Sequence, residues 1–237
     1  MNEIAPAHDA KRRLYGRRRG RKLRAGRRAL METLLPRLRI ELPPSGAVDP
    51  RKLFSSAVEE VWFEIGFGGG EHLADQAETH PAIGFIGAEV FENGVAKLLA
   101  EVEKRGHGNA GGNIRIFADD ALLLLARFAP RSLGRVFILF PDPWPKERHK
   151  KRRIVSRETL DLLARAMKPG AELRLATDDA DYALWMHEHL ESHDGFTAGA
   201  MAEGAWPGRP ADWPKTRYEQ KRVSGGAPRF FLYRRKT

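Results

Sequence analysis

Residues 135–153 read RVFILFPDPWPKERHKKRR, and the fold turns on this stretch. Its first half, Val136-Phe137-Ile138-Leu139-Phe140, is a continuous apolar run. Such a run between breakers predicts a strand buried on both faces, as in a parallel sheet. Pro141 ends it, and Asp142 follows between two prolines, with Trp144 and Pro145 behind. Open α/β sheets bind ligands beyond the carboxyl ends of their strands. A carboxylate and an indole on a proline-stiffened loop at such an end mark a candidate site. Residues 146–153 then carry seven basic residues or histidines and one acid. An anionic partner is expected beside that carboxylate.

Working outward, residues 60–65 read as the first strand of the same sheet. They run into Gly66-Phe67-Gly68-Gly69-Gly70 and then a helix over 71–79. Strand, glycine loop and helix open a nucleotide-binding βα unit. The dinucleotide fingerprint needs a small residue where Glu71 stands, so a nicotinamide cofactor fits poorly. A second strand over 83–90 ends at Glu89, 23 residues after Gly66. That is close to the roughly 20-residue spacing at which an acid reaches ribose hydroxyls over the glycine loop. A helix over 93–104, a glycine-rich turn at 106–112 and a strand over 114–117 follow. Asp119-Asp120 then precede an apolar helix over 121–128, which they cap or leave to meet an adenine amino group. Beyond the central strand come a helix over 157–167, a stop at Lys168-Pro169-Gly170, a strand over 171–177 and Asp178-Asp179. A helix over 182–190, an irregular stretch over 194–215 and a last strand over 229–235 complete the pattern. Alternating strands and helices predict one α/β, doubly wound, mostly parallel sheet with helices on both faces. Acids at 89, 119 or 120, 142 and 178 each follow a strand, so parallel pairing gathers them at one edge.

The 237 residues carry a net charge of +10 and a pI near 10.1. That excess favours nucleic acid or an anionic membrane surface as partner. No apolar run approaches the roughly 18 residues of a membrane span, and the first residues lack the apolar core of a signal peptide. No cysteine is present, which removes disulfides, thiolate metal sites and cysteine nucleophiles. His187 and His189 stand two apart on a helix and point to different faces, so no metal site is expected. A cytoplasmic protein is expected. Residues 1–28 read as a flexible basic arm, with eleven Lys or Arg and no acid between 11 and 28. Glycines at 16, 20 and 26 loosen it, and it would order on phosphates. A helix over 29–38 broken by Pro36, a linker at 42–46 and a short helix capped by Asp49 lead into the main domain. That domain is expected to span 29–237, with its core from about residue 58. The oligomeric state stays open, a monomer being favoured over a homodimer.

Taken in order, Glu64-Ile65-Gly66-Phe67-Gly68, Pro141-Asp142-Pro143-Trp144-Pro145-Lys146, Lys151-Arg152-Arg153, Ala176-Thr177-Asp178 and Thr216-Arg217-Tyr218-Glu219 form a series. The series resembles the bacterial tRNA (guanine-N7)-methyltransferases, over roughly residues 60–235. The glycine loop is shared by most class I methyltransferases; the PDPWPK loop and the TRYE stretch are specific to the family. The resemblance implies a Rossmann-like class I methyltransferase with a seven-stranded sheet, S-adenosylmethionine as methyl donor and no metal. It implies tRNA as partner, with the variable-loop guanine (position 46) as target. On motif match, Glu64, Gly66, Gly68, Glu89, Asp120 and Asp142 would bind the donor, with Asp142 also catalytic. Lys146, Asp178, Thr216, Arg217, Tyr218 and Glu219 would bind the RNA. The three glycines at 68–70 fall where the family varies, and the Asp119-Asp120 doublet leaves the adenine-side contact open by one residue.

Guanine N7 offers an in-plane lone pair and carries no proton, so it needs no strong base. Its methylated product is cationic. The site therefore needs positioning and a nearby negative charge, which Asp142 supplies. Asp142 would bond either the guanine amino edge or the donor's amino group. Trp144 would stack on the base or the donor, or plug the loop. Two other classes compete: a methyltransferase acting on another nucleic acid, and an RNA-binding module that keeps a nucleoside pocket. The acids at consecutive strand ends argue against the module, and the TRYE stretch argues against another substrate.

Overall fold

The apolar segments pair into one seven-stranded sheet among the described residues. The computed structural model describes residues 16–106, 112–199, 208–209, 211–213 and 226–237. Strands β1 (Glu60–Ile65), β2 (Ile83–Ala88), β3 (Ile114–Phe117), β4 (Leu133–Leu139) and β5 (Met167–Thr177) run parallel in the order β3-β2-β1-β4-β5. Strand β7 (Arg229–Arg235) pairs antiparallel with β5, and β6 (Phe196–Ala198) pairs antiparallel with β7. The order reverses between β1 and β4. Parallel neighbours need crossovers, and helices supply them.

Helices α1 (Ala25–Thr33), α2 (Leu35–Leu38), α3 (Glu71–Thr79) and α4 (Glu92–Lys104) cover one face. There Leu35, Leu73 and Leu98 pack on Trp62, Phe85 and Phe137. Helices α5 (Ala121–Leu125), α6 (Arg157–Ala166) and α7 (Ala180–Glu191) cover the other. There Leu124, Leu163 and Met186 pack with Phe63, Val136 and Ile138. In β4, Phe137 faces one layer while Val136 and Ile138 face the other, as the period of two requires. That double burial is why the run lacks a polar alternation. Each buried Leu or Phe contributes about 1.5–3 kcal/mol. Ser156 and Asp179 cap α6 and α7 through Thr159 N and Tyr182 N. The outer edge of β3 is covered where Ile40 N donates to Ile116 O at 2.8 Å.

Several boundaries differ from the sequence expectation. β4 begins at Leu133 and ends at Leu139, because Phe140 turns to a φ of 50°. Residues 168–170, expected as a stop after α6, lie inside β5 beside a register shift opposite Leu133 and Arg135. α5 ends at Leu125, where Arg165 Nη2 takes the carbonyls of Leu125 and Ala126 and its Nη1 takes that of Phe128. The basic run over 147–152 forms a 3-10 turn (Glu147–Arg152), and β6 falls in a stretch read as irregular. The helix expected from residue 29 starts at Ala25, within the basic stretch. Asp49 caps a 3-10 turn (Pro50–Leu53). No helix among the described residues is long and apolar enough to cross a membrane.

Gly94, in the first turn of α4, packs against the glycine loop. A Cβ there would lie 2.4 Å from the Gly68 carbonyl oxygen. Alanine normally stabilises a helix interior over glycine by about 0.5–1 kcal/mol. Here the obstacle is backbone, so Gly94→Ala is expected to destabilise by about 1–3 kcal/mol. A urea-unfolding midpoint at or above that of the wild type would refute this.

Candidate active site

The loop after β1 carries three glycines in the left-handed region, Gly66, Gly68 and Gly70, with φ of 73°, 55° and 77°. Only glycine adopts such a series without strain. It turns the chain from β1 into α3 and leaves backbone N–H groups facing the edge of β2. Gly66 N donates to Ala88 O at 2.8 Å. Glu89, directly after β2, uses both carboxylate oxygens: Oε2 accepts from Gly68 N at 2.8 Å and Oε1 from Phe91 N at 2.9 Å. Burial pushes the Glu89 carboxyl above the usual range, the N–H bonds from Phe91 and Gly68 oppose this, and the Asp142 charge adds to the rise.

Asp119 and Asp120 stand after β3. Asp120 Oδ1 caps α5 through Leu122 N at 3.0 Å. Asp119 Oδ1 accepts from Asp120 N at 2.9 Å and pairs with Arg18 Nη2 at 3.0 Å. After β4, the loop around Asp142 has two non-glycine residues in the left-handed region, Phe140 at φ 50° and Trp144 at φ 45°. Such conformations cost about 1–2 kcal/mol each and gather at functional loops. Asp142 lies midway between them, and Phe140 N is tied to Ala176 O at 2.8 Å. The guanidinium of Arg152 sits 5.0 Å over the Trp144 ring.

These strand ends enclose one cleft of about 450 Å³. Gly66, Gly68, Glu89, Asp120 and Asp142 line it, as do Asp119 and Trp144. A volume of this size suits a nucleoside-sized ligand, and four carboxylates around it suit a cationic one. The glycine loop leaves room for close approach: a Cβ at Gly66 or Gly68 would meet nothing within 4 Å. These features fit a sulfonium nucleoside.

The structure does not bring Glu64 to the cleft wall. Its carboxylate turns to His72 Nδ1 at 2.8 Å, and both side chains are buried. Lys146 is exposed at the start of the 3-10 turn, and Asp178 is partly buried after β5; neither lines the cleft. Thr216, Arg217, Tyr218 and Glu219 lie outside the described residues. The chain just before them is anchored. Asp212 pairs with Arg174 at 2.7 Å, its carbonyl accepts from Gln76 Nε2 at 2.7 Å, and Trp213 is buried beside Phe137 and Phe230.

Sequence reasoning missed the support for the basic stretch. Gly20 N donates to Asn93 Oδ1 at 2.8 Å, Asn93 Nδ2 donates to Arg21 O at 2.7 Å, and Glu92 N donates to Arg18 O at 2.9 Å. Gly16 and Arg17 thereby reach the rim of the cleft. A Cβ at Gly20 would lie 2.6 Å from Asn93 Oδ1, so this glycine serves close approach. Nothing in periodicity marks Asn93; it stands at a helix start like many asparagines.

Comparison with known proteins gives the family of the chain. A family model described as "Putative methyltransferase" matches residues 58–232. The tRNA (guanine-N(7)-)-methyltransferase of Paramagnetospirillum magneticum is 53% identical over 226 residues, covering 95% of this chain and 93% of its own. That of Rhodospirillum rubrum is 44% identical, covering 98% of this chain and 90% of its own. Among solved structures, the 16S rRNA methyltransferase KamB shares the fold at a TM-score of 0.50 and 14% identity, over 76% of this chain and 89% of that one. At the identity and coverage of the two bacterial relatives, the chain belongs to the tRNA (guanine-N(7)-)-methyltransferase family.

Proposed function

We propose that this protein transfers a methyl group from S-adenosylmethionine to N7 of guanine in tRNA, at the variable-loop guanine, position 46. The observation that carries the reading is the cleft itself, where the glycine loop, Glu89 and Asp142 meet at neighbouring strand ends. Membership of the family supports it. When bound, the donor supplies an electrophilic methyl on a positive sulfur. Gly66 and Gly68 cradle it, Glu89 accepts from its ribose hydroxyls, and Asp120 serves the adenine side. Glu64, turned from the cleft, ties β1 to α3 through His72. Asp142 opposes the positive charge that develops on the guanine ring and holds its position between Phe140 and Trp144. Lys146, Asp178 and Thr216 to Glu219 receive the RNA, with the arm over residues 1–28 feeding the domain over 29–237. No residue need act as a strong base, and no metal is required, because the leaving group is a neutral thioether. On this reading the protein works in the cytoplasm, a monomer being favoured over a homodimer.

The first test is transfer of labelled methyl to an unmodified tRNA transcript, with the base located by cleavage at N7-methylguanine. One product in the variable loop supports the proposal. Methylation elsewhere moves the substrate, and absence of transfer by folded, tRNA-binding protein rejects it.

Asp142→Ala is expected to lower kcat by at least about 100-fold with the fold intact, the scale set by loss of one transition-state electrostatic group. Near-normal turnover in the folded variant removes Asp142 from catalysis. Donor binding favours ionised Glu89, whose carboxyl is raised by burial. The donor Kd should therefore rise as pH falls through that raised value, by up to about tenfold per unit below it. Glu89→Gln should bind weakly with a flat profile; calorimetric titration distinguishes the two. In the basic stretch, Arg21, Lys22 and Arg24 are exposed. Replacing all three with Gln should reduce the slope of log affinity against log salt by up to about 3. An unchanged slope excludes them from the RNA contact.

A further inference from the structure

Arg153 closes the basic run, yet its side chain is 0% exposed, while Arg148 and Lys151 lie in the open. Its Nε donates to Pro143 O at 2.8 Å. Its Nη2 pairs with Asp181 Oδ2 in the first turn of α7. Asp181 also takes Lys150 Nζ on Oδ1 at 3.2 Å. The guanidinium carbon lies 4.8 Å from the Tyr182 ring centre and 5.0 Å from that of Trp185. Both rings are tied to the next segment of chain: Val155 N donates to the Tyr182 hydroxyl at 3.3 Å, and Trp185 Nε1 donates to Val155 O at 2.7 Å.

The Pro143 carbonyl belongs to the peptide that enters Trp144, the residue held at φ 45°. A donor on that oxygen fixes the peptide plane and, through it, the strained turn behind Asp142. A buried charge is a costly way to fill space, and an apolar side chain would do so more cheaply. A planar fork does what an apolar side chain does not. It gives one N–H to a loop carbonyl and another to a carboxylate on a helix, and so sets two elements relative to each other.

We propose that Arg153 is a positioning residue for methyl transfer. It pins the loop over 141–145, and with it Asp142, to the start of α7, and it takes no part in gripping RNA. This rests on the reading of Asp142 as the catalytic carboxylate. It departs from the expectation that the basic run over residues 146–153 serves an anionic partner throughout.

The test compares Arg153→Lys, Arg153→Met and Asp181→Asn with Lys151→Gln, an exposed cation of the same run. Each variant is assayed with S-adenosylmethionine and unmodified tRNA transcript, well below its Tm, alongside tRNA binding at several salt concentrations. Wild-type transfer is measured first. If it is absent, the function itself fails rather than the pin. The Arg153 variants should lose about 10- to 100-fold in kcat, the scale of a misplaced reacting group. Their KM for tRNA and salt slope should stay within about twofold of wild type, and Arg153→Lys should not rescue, because an ammonium lacks the fork. Asp181→Asn, which leaves Arg153 in place, should lose kcat in the same manner and to a smaller extent; it decides the matter if Arg153→Met does not fold. Lys151→Gln should do the reverse, with a shallower salt slope and normal kcat. Unchanged kcat in folded Arg153→Lys and Asp181→Asn overturns the proposal. So does a loss confined to tRNA affinity, or one that vanishes on cooling the assay.

Discussion

Parallel pairing of β1 with β4 is the constraint on which the rest depends. The two strands run in register from Trp62 opposite Arg135 to Ile65 opposite Ile138. Because they are parallel, both end at the same edge. The turn after β1 and the turn after β4 therefore open side by side, with no side chain needed to bring them together. Outward on one side lie β2 and β3, whose ends add Glu89 and the Asp119-Asp120 pair. The strand order reverses between β1 and β4, and the crossovers diverge there to opposite faces. The cleft is the gap that divergence leaves.

Charge is distributed by the same geometry. The acids collect at strand ends inside the cleft, where burial and mutual proximity raise the Glu89 carboxyl. The cations lie around it: the stretch over residues 16–24 along the start of α4, and the 3-10 turn beyond the Asp142 loop. A negative pocket within a positive surface suits a small cation inside and a polyanion outside. The exposed ion pairs, such as Arg18 with Asp119, contribute little stability individually. Their effect is to decide where the basic stretch lies. Arg153 is different, since it is enclosed and its hydrogen bonds are directed.

Among the described residues three non-glycine residues lie in the left-handed region; Arg131 is in the turn before β4, and the other two, Phe140 and Trp144, flank Asp142. Conformations of that kind persist only where the surroundings over-determine them. Here the surroundings include the bond from Phe140 to Ala176 and the guanidinium behind Pro143. Two prolines stiffen the loop locally, but they do not by themselves select a left-handed Trp144.

The sequence by itself determined the sheet, its doubly wound character and most of the cleft. Apolar runs of strand length, without alternation and bounded by breakers, read as strands covered on both faces, and an acid placed directly after such a strand falls at the sheet's carboxyl edge. Glu89, Asp142 and the Asp119-Asp120 pair were legible for that reason, Gly66 and Gly68 from the strand, glycine loop and helix pattern; the choice of Asp120 within the pair came from the family resemblance. Local pattern could not decide what distant segments do to each other. It took Arg153 for one more cation in a basic run, because burial by Tyr182 and Trp185 from α7 leaves no trace in the run itself. It read Gly20 as looseness, although that glycine permits close approach to Asn93. It assigned Glu64 no partner, the family resemblance alone set that residue among the donor contacts, and the packing of α3 on the sheet turns the carboxylate to His72. The physical reason is the same in each case. Backbone preference and burial period are written in neighbouring residues, whereas the partner of a buried polar group is chosen by the tertiary fold.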